Sequence, residues 1–433
     1  MRIIDVRTVL LTGPSSNDPW ITFAKSTRSV GLVELVTDSG LTGLGETYAG
    51  YFATELVTPV VDYVAPILLA AETLDPRVLT ERMRWCLGYT ARVGVVPGIL
   101  AAVEAALWDL QGKAEGVPVH ELLGGAKHAR LRGYATGGPS PWPPEQLVRK
   151  LDRYRELGFT AFKVATGWMD MTNRAVVDPV VGAEAAVAQE VAKVEMLRSH
   201  AGDDFGILLD GHMGSRQDRV GWDLEIASAV MQALEPYGLF FFEEPLPYED
   251  PDAYAELTRR SPIPIAGGEQ LTTAAEFKLW LSRGAFAVAQ PDAAWCGIGD
   301  FLAVDALAAE RGTGIASHNW CAGVGVMQNL HAAFASQTTR ILELLPDPGP
   351  LHSELWGDSL VIEGGQVLLP TAPGLGVTLT DETRNRYPYR PGHEEFASVP
   401  GKQMRSRATT TSWLVRSTLR GWHGCGDSWV TRG

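Results

Sequence analysis

Cysteine, cationic side chains and uninterrupted apolar runs are all scarce in this chain, and each shortage removes a class of function. Four cysteines in 433 residues, Cys86, Cys296, Cys321 and Cys425, stand without CxxC spacing, which argues against both a disulfide framework and a cysteine-ligated zinc site. Lysine and arginine number 37 against 51 aspartates and glutamates, a formal charge of −14. A phosphate backbone is a poor partner for such a surface, so no nucleic acid is expected. An anionic small molecule would need a local positive centre to enter that field. No stretch reaches the roughly 18 uninterrupted apolar residues of a membrane span, so no membrane is expected either. The opening MRIIDVRTVLLTG is broken by Asp5 and Arg7 and no small-residue cleavage site follows it. It reads as an edge or first strand, with the cytoplasm as the default compartment.

What the chain does have is a repeated pattern in its middle. ILLDGH closes on Asp210 and His212, FFFEEP on Glu243, IAGGEQ on Glu269, AVAQPD on Asp292 and GIASHN on His318. The intervals are about 23 to 33 residues, one strand plus helix plus two loops. One ionisable group at the C-terminal end of each strand is how a parallel barrel builds an active site. Eight candidate strands follow Arg132: LRGYAT, AFKVAT, GILLDG, LFFFEE, PIAGGE, FAVAQP, GIASHN and RILELL. Amphipathic stretches lie between them, most ending in glycine as a helix C-cap would. The fold class is therefore α/β, a (β/α)8-type barrel, with a doubly wound open sheet as the competing architecture. Residues 1–125 mix paired strands and helices and read as an α+β module. The barrel is expected over 126–355. A C-terminal segment, 356–402, is expected to return to the N-terminal module, and residues 403–433 read as a disordered or non-native tail.

Asp210, Glu243 and Glu269 end successive strands, so in a barrel they meet at the mouth. Three carboxylates converging in a partly buried site call for a cation, and all-oxygen ligation points to a hard ion, Mg2+ above Ca2+ or Zn2+. Glu244 is expected on the opposite side by strand alternation. Asp292 and His318 end the next two strands, a pairing that makes His318 a general base. Lys163 would neutralise a substrate carboxylate or an enediolate, Glu343 would bind a carboxylate oxygen, and His212, two residues after Asp210, would protonate a leaving hydroxyl. Trp20, Phe23, Tyr48 and Tyr51, in polar-aromatic loops of the N-terminal module, are candidates for closing over a substrate.

Taken in order, GFTAFKV, LLDGH, FFEEP, GGEQ, QPD, ASH and the LE of RILELL resemble the enolase superfamily, mandelate-racemase-like branch, from residue 1 to about 400. The resemblance implies a (β/α)7β TIM-type barrel under an N-terminal α+β capping domain. It also implies one Mg2+ on Asp210, Glu243 and Glu269, and removal of a proton α to a carboxylate to give a metal-stabilised enediolate. By the same resemblance Asp292 and His318 look like the family's dyad, and Lys163 and Glu343 like carboxylate-contacting groups. Racemases of this branch carry a second lysine where this chain has Ala165. The cycloisomerase and dipeptide-epimerase branch needs a lysine at the end of the sixth strand, yet none occurs between Lys278 and Lys402. His212 is similar to the acid of galactonate- and mannonate-type dehydratases, and Trp295–Gly297 (WCG) to rhamnonate-type ones. The expected reaction is thus a hydro-lyase step on an aldonate or aldarate, with racemisation or epimerisation as the alternative and a silent scaffold behind both. A homo-oligomer acting on a small anionic sugar acid is the expected form.

Overall fold

The structure, a computed structural model, describes residues 1–19, 27–137, 142–170, 175–176, 182–213 and 221–393. Trp20, Phe23 and the 403–433 tail lie outside them.

Three strands, β1 (Ile3–Pro14), β2 (Thr27–Thr37) and β3 (Thr42–Thr47), form an antiparallel sheet in that order. Against it packs the Ala-rich helix Val95–Glu115, buried along most of its length. Contact is close because β3 presents glycine on the packed side. A Cβ on Gly43 would lie 2.1 Å from the Ala106 carbonyl oxygen, and one on Gly45 2.0 Å from that of Ala102. Two helical stretches, Gly50–Leu69 and Val95–Glu115, have the length and mean hydropathy of a membrane span, but acidic residues interrupt both and the second is this domain's core.

The barrel strands are β4 (Arg130–Thr136), β5 (Ala161–Ala165), β6 (Gly206–Asp210), β7 (Phe242–Glu243), β8 (Ile265–Gly267), β9 (Val288–Ala289), β10 (Gly314–Ser317) and β11 (Thr339–Leu344). All run parallel, and β11 pairs back onto β4, closing the sheet. The eight strands coincide with those read from the sequence, and closure excludes the open-sheet alternative. Among the described residues seven α-helices connect them, giving the (β/α)7β order. Local chemistry starts several: Asp223, Asp250 and Thr273 cap helices with side-chain oxygens, and Gly312 ends another in the left-handed conformation. After the barrel, the short hairpin Ile362–Glu363/Gln366–Leu368 pairs with β4. The chain then returns to the capping domain, where Arg384 pairs with Glu34 and Leu375 N–H donates to Asp109.

Strand alternation sorts the barrel interior into two layers. Tyr134, Ala161, Leu208, Phe241, Ala266, Val288, Ala316 and Ile341, one from each strand or its flank, form an inner core. Two residues further along most strands, on the same inward face, stand Thr136, Lys163, Asp210, Glu243, Gln290, His318 and Glu343, all buried. The apolar layer is a floor, and the polar layer above it is the candidate site.

Candidate active site

Lys163 lies at the centre of the polar layer. Its Nζ donates to Glu243 Oε2 at 2.6 Å and lies 3.1 Å from Glu343 Oε1 and 3.2 Å from Asp210 Oδ2. Burial opposes its charge, but Glu243, Glu343 and Asp210 outweigh that and raise its pKa well above the lysine value. Burial and the charge of Asp210 push Glu243 far up. Glu343 is lowered: burial works against its charge, while Lys163 and His318 prevail. It also accepts the Asn319 backbone N–H at 2.9 Å.

Two imidazoles flank Glu269. His318 Nε2 lies 3.6 Å from Glu269 Oε2, and His212 Nε2 lies 3.9 Å from Glu269 Oε1. His318 Nδ1 donates to Asp292 Oδ2 at 2.8 Å, the expected dyad contact. His212 Nδ1 donates to Asp210 Oδ1 at 2.5 Å. Burial disfavours charge on both rings, yet the surrounding carboxylates, Glu269 and Asp292 for His318 and Asp210 for His212, raise each to about 10.

Glu244 departs from its expected direction. The strand ends at Glu243, and Glu244 adopts φ +46°, as does His212. Alternation therefore fails one residue past the strand, and a donor oxygen of Glu244 comes within 4.8 Å of donor atoms of Asp210 and His212. Such left-handed conformations cost a side chain about 1 kcal/mol each and gather at functional sites.

The layer suits a hard divalent cation. Asp210, Glu243 and Glu269 are the expected oxygen donors; of these only Asp210 belongs to the cluster of mutually close ligand atoms, which it forms with His212 and Glu244, while Glu243 Oε1 is buried without a hydrogen-bond partner among the described residues. The same holds for the Tyr134 hydroxyl at the floor and the Gln290 side-chain amide in the polar layer. Orphaned buried polar atoms are costly unless a further group completes them.

The aromatic candidates separate. Tyr48 places its ring edge-on to His318, with centroids 5.3 Å apart, and 5.9 Å from Trp295. Tyr51 has no exposed surface and belongs to the domain junction. Its hydroxyl bonds Glu46, whose carboxylate accepts the Ala322 and Gly325 backbone N–H groups at 3.0 and 2.7 Å, at the start of helix Gly323–Ala335. Tyr51 is thereby corrected from substrate contact to interdomain support. Among residues the sequence reading passed over, Asn319 signals itself only by following His318, while Tyr134, Gln290 and Glu46 sit in apolar strands that carry no such mark.

Residues 8–124 match the mandelate racemase/muconate lactonizing enzyme N-terminal domain, and residues 146–383 the enolase C-terminal domain-like family. Arabinonate dehydratase of Saccharolobus solfataricus is 27% identical over 89% of this chain and 99% of its own length. D-galactonate dehydratase of Xanthomonas axonopodis pv. citri is 29% identical over 82% and 90%. Among solved structures, a racemase from Streptomyces coelicolor A3(2) with bound magnesium superposes with a TM-score of 0.75 at 28% identity, covering 89% of this chain and 99% of that one.

Proposed function

Because the chain belongs to the mandelate racemase/muconate lactonizing enzyme family of the enolase superfamily, we propose that it dehydrates an aldonate or aldarate to a 2-keto-3-deoxy sugar acid. The observation that carries this reading is the placement of His318 and His212 against opposite oxygens of Glu269, while β5 offers only Ala165 where a second lysine base would stand. One imidazole can take a proton from a substrate carbon and the other can give one to a departing oxygen. Racemisation would instead need a base on each face of that carbon.

In this reading His318 Nε2 removes the C2 proton, with Asp292 fixing the tautomer through Nδ1. His212 protonates the C3 hydroxyl, the C3–O bond breaks, water leaves, and the resulting enol tautomerises to the ketone. Asp210, Glu243 and Glu269 would hold Mg2+, which supplies Lewis-acid polarisation of the substrate carboxylate. Lys163 adds fixed positive charge where the enediolate develops, and preorganised charges of this kind are worth about 3 kcal/mol each. Tyr48 forms an aromatic wall beside His318. The sugar-acid relatives support the substrate class, and the all-oxygen donor set supports Mg2+.

The test is a screen for 2-keto products across aldonates and aldarates with Mg2+, alongside His318→Asn and His212→Asn. At least one acid sugar is expected to be dehydrated, with both variants losing turnover. His212→Asn should retain exchange of the C2 proton with solvent deuterium, and His318→Asn should lose it. Exchange with inversion and no ketone formed, or full activity in both variants, would overturn the proposal.

A further inference from the structure

The Asp292–His318 pair is held by a residue on neither strand. Helix Gly323–Ala335 carries Asn329, fully buried. Its Nδ2 donates to Asp292 Oδ1 at 2.8 Å, and lies 3.4 Å from Asn319 Oδ1 and 3.2 Å from the Gly325 carbonyl oxygen. Its Oδ1 accepts from the Ala293 backbone N–H at 2.7 Å and from Ser317 Oγ at 2.9 Å. One amide thus engages all its donor and acceptor capacity and touches the residue after Asp292, the residues on either side of His318, and Asp292 itself.

The effect on Asp292 is directional. Oδ1 accepts from Asn329 and from the Ala294 N–H at 2.8 Å, while Oδ2 accepts from His318 Nδ1, with Cys321 Sγ 3.5 Å away as a weaker donor. A carboxylate without that anchor can rotate about its last torsion, a broad sp3–sp2 rotor. We propose that Asn329 is a positioning residue of the dyad: it fixes the Asp292 carboxylate so that His318 presents Nε2 toward Glu269 and the reacting carbon. The inference rests on His318 being the base, as in the proposed function.

The neighbouring Gln328 makes the control. It is equally buried on the same turn, yet it bonds the capping domain instead, accepting from Glu46 N–H at 2.7 Å and donating to the Glu46 carbonyl oxygen at 3.2 Å. Its contact with the dyad loop is confined to the Ala293 carbonyl oxygen, 3.4 Å away.

Two readouts separate positioning from folding. The first is the low-field proton resonance of His318 Nδ1–H, assigned by its loss in His318→Asn, which needs no substrate. The second is kcat against KM on the acid sugar found by the screen. Asn329→Ala is expected to shift or abolish the resonance and to lower kcat on the order of 10-fold or more, as losing an orienting partner does, with KM within about 3-fold. Gln328→Ala should keep the resonance and kcat despite a comparable loss of Tm. Should Asn329→Ala fail to fold, Asn329→Asp retains the acceptor to Ala293 and Ser317 and removes the donor to Asp292, and the same changes are expected of it. An unchanged resonance in a folded Asn329 variant, or equal effects in Gln328→Ala, would overturn the assignment. A lost resonance in a chain that dehydrates no acid sugar would uphold Asn329 and sink the substrate reading. An intact resonance in an active dehydratase does the reverse.

Discussion

Lys163 pairs with three buried carboxylates at once, so its removal leaves Asp210, Glu243 and Glu343 repelling one another in a low-dielectric layer. Breaking a buried ion pair costs about 3–5 kcal/mol. Lys163→Met should therefore lower the urea midpoint strongly in chelator, and Mg2+ should restore part of the loss, since a cation bound to the native state adds about 2.7 kcal/mol at 100 times its Kd. Equal midpoints for wild type and variant in chelator would show that the ammonium does not compensate these acids. The lysine was legible from its strand end, as were the acids and both histidines. Asn329 was not: it lies in a helix reading GVGVMQNLHAAFA, where a polar residue among apolar ones gives no hint of its contacts. Glu244 was misread because alternation holds only while the strand does, and the strand stops at Glu243.

At the level of elements, the capping domain is built on backbone proximity. Gly45→Ala would place a methyl carbon 2.0 Å from the Ala102 carbonyl oxygen, backbone against backbone with no flexible side chain to yield. Overpacking typically costs 1–3 kcal/mol and occasionally more. This position should reach at least about 3 kcal/mol, seen as a Tm drop or insoluble expression, and a wild-type melt would contradict the packing described. The barrel strands could be read in advance because each is a short apolar run capped by a polar residue, which survives even where only two residues pair, as in β7 and β9. The contact between domains could not. It depends on Glu46 capping a helix almost 280 residues away, on Tyr48 N–H donating to the Ala294 carbonyl oxygen, and on Gln328. Each of these is unremarkable in its own segment, and only the closed barrel brings them together.

For the whole molecule, pH acts through histidines buried away from the site. His331, against His120, is held down to about 3 by burial and the neighbouring imidazole, and burial pushes His352 well below the usual range. Unfolded, each titrates near 6.5. Between that value and the folded one the unfolded chain binds more protons, so stability is fully present above about pH 6.5 and falls as pH falls. Each such group removes about 1.4 kcal/mol per pH unit. Urea midpoints from pH 6 down to pH 4 should decline accordingly, and His331→Gln should flatten the slope by about one such increment. An unaltered slope would mean that His331 accepts a proton in the folded protein.

The two-layer interior also bears on how such a chain changes over generations. Because the floor residues fill the barrel and the tips stand two positions above them, a tip can be exchanged without reopening the packing beneath. On β5 the tip is Lys163, and Ala165, in register with Asp210 on the next strand, places a methyl two positions beyond it. Packing and site chemistry thus rest on separate sets of residues, the floor and the tips.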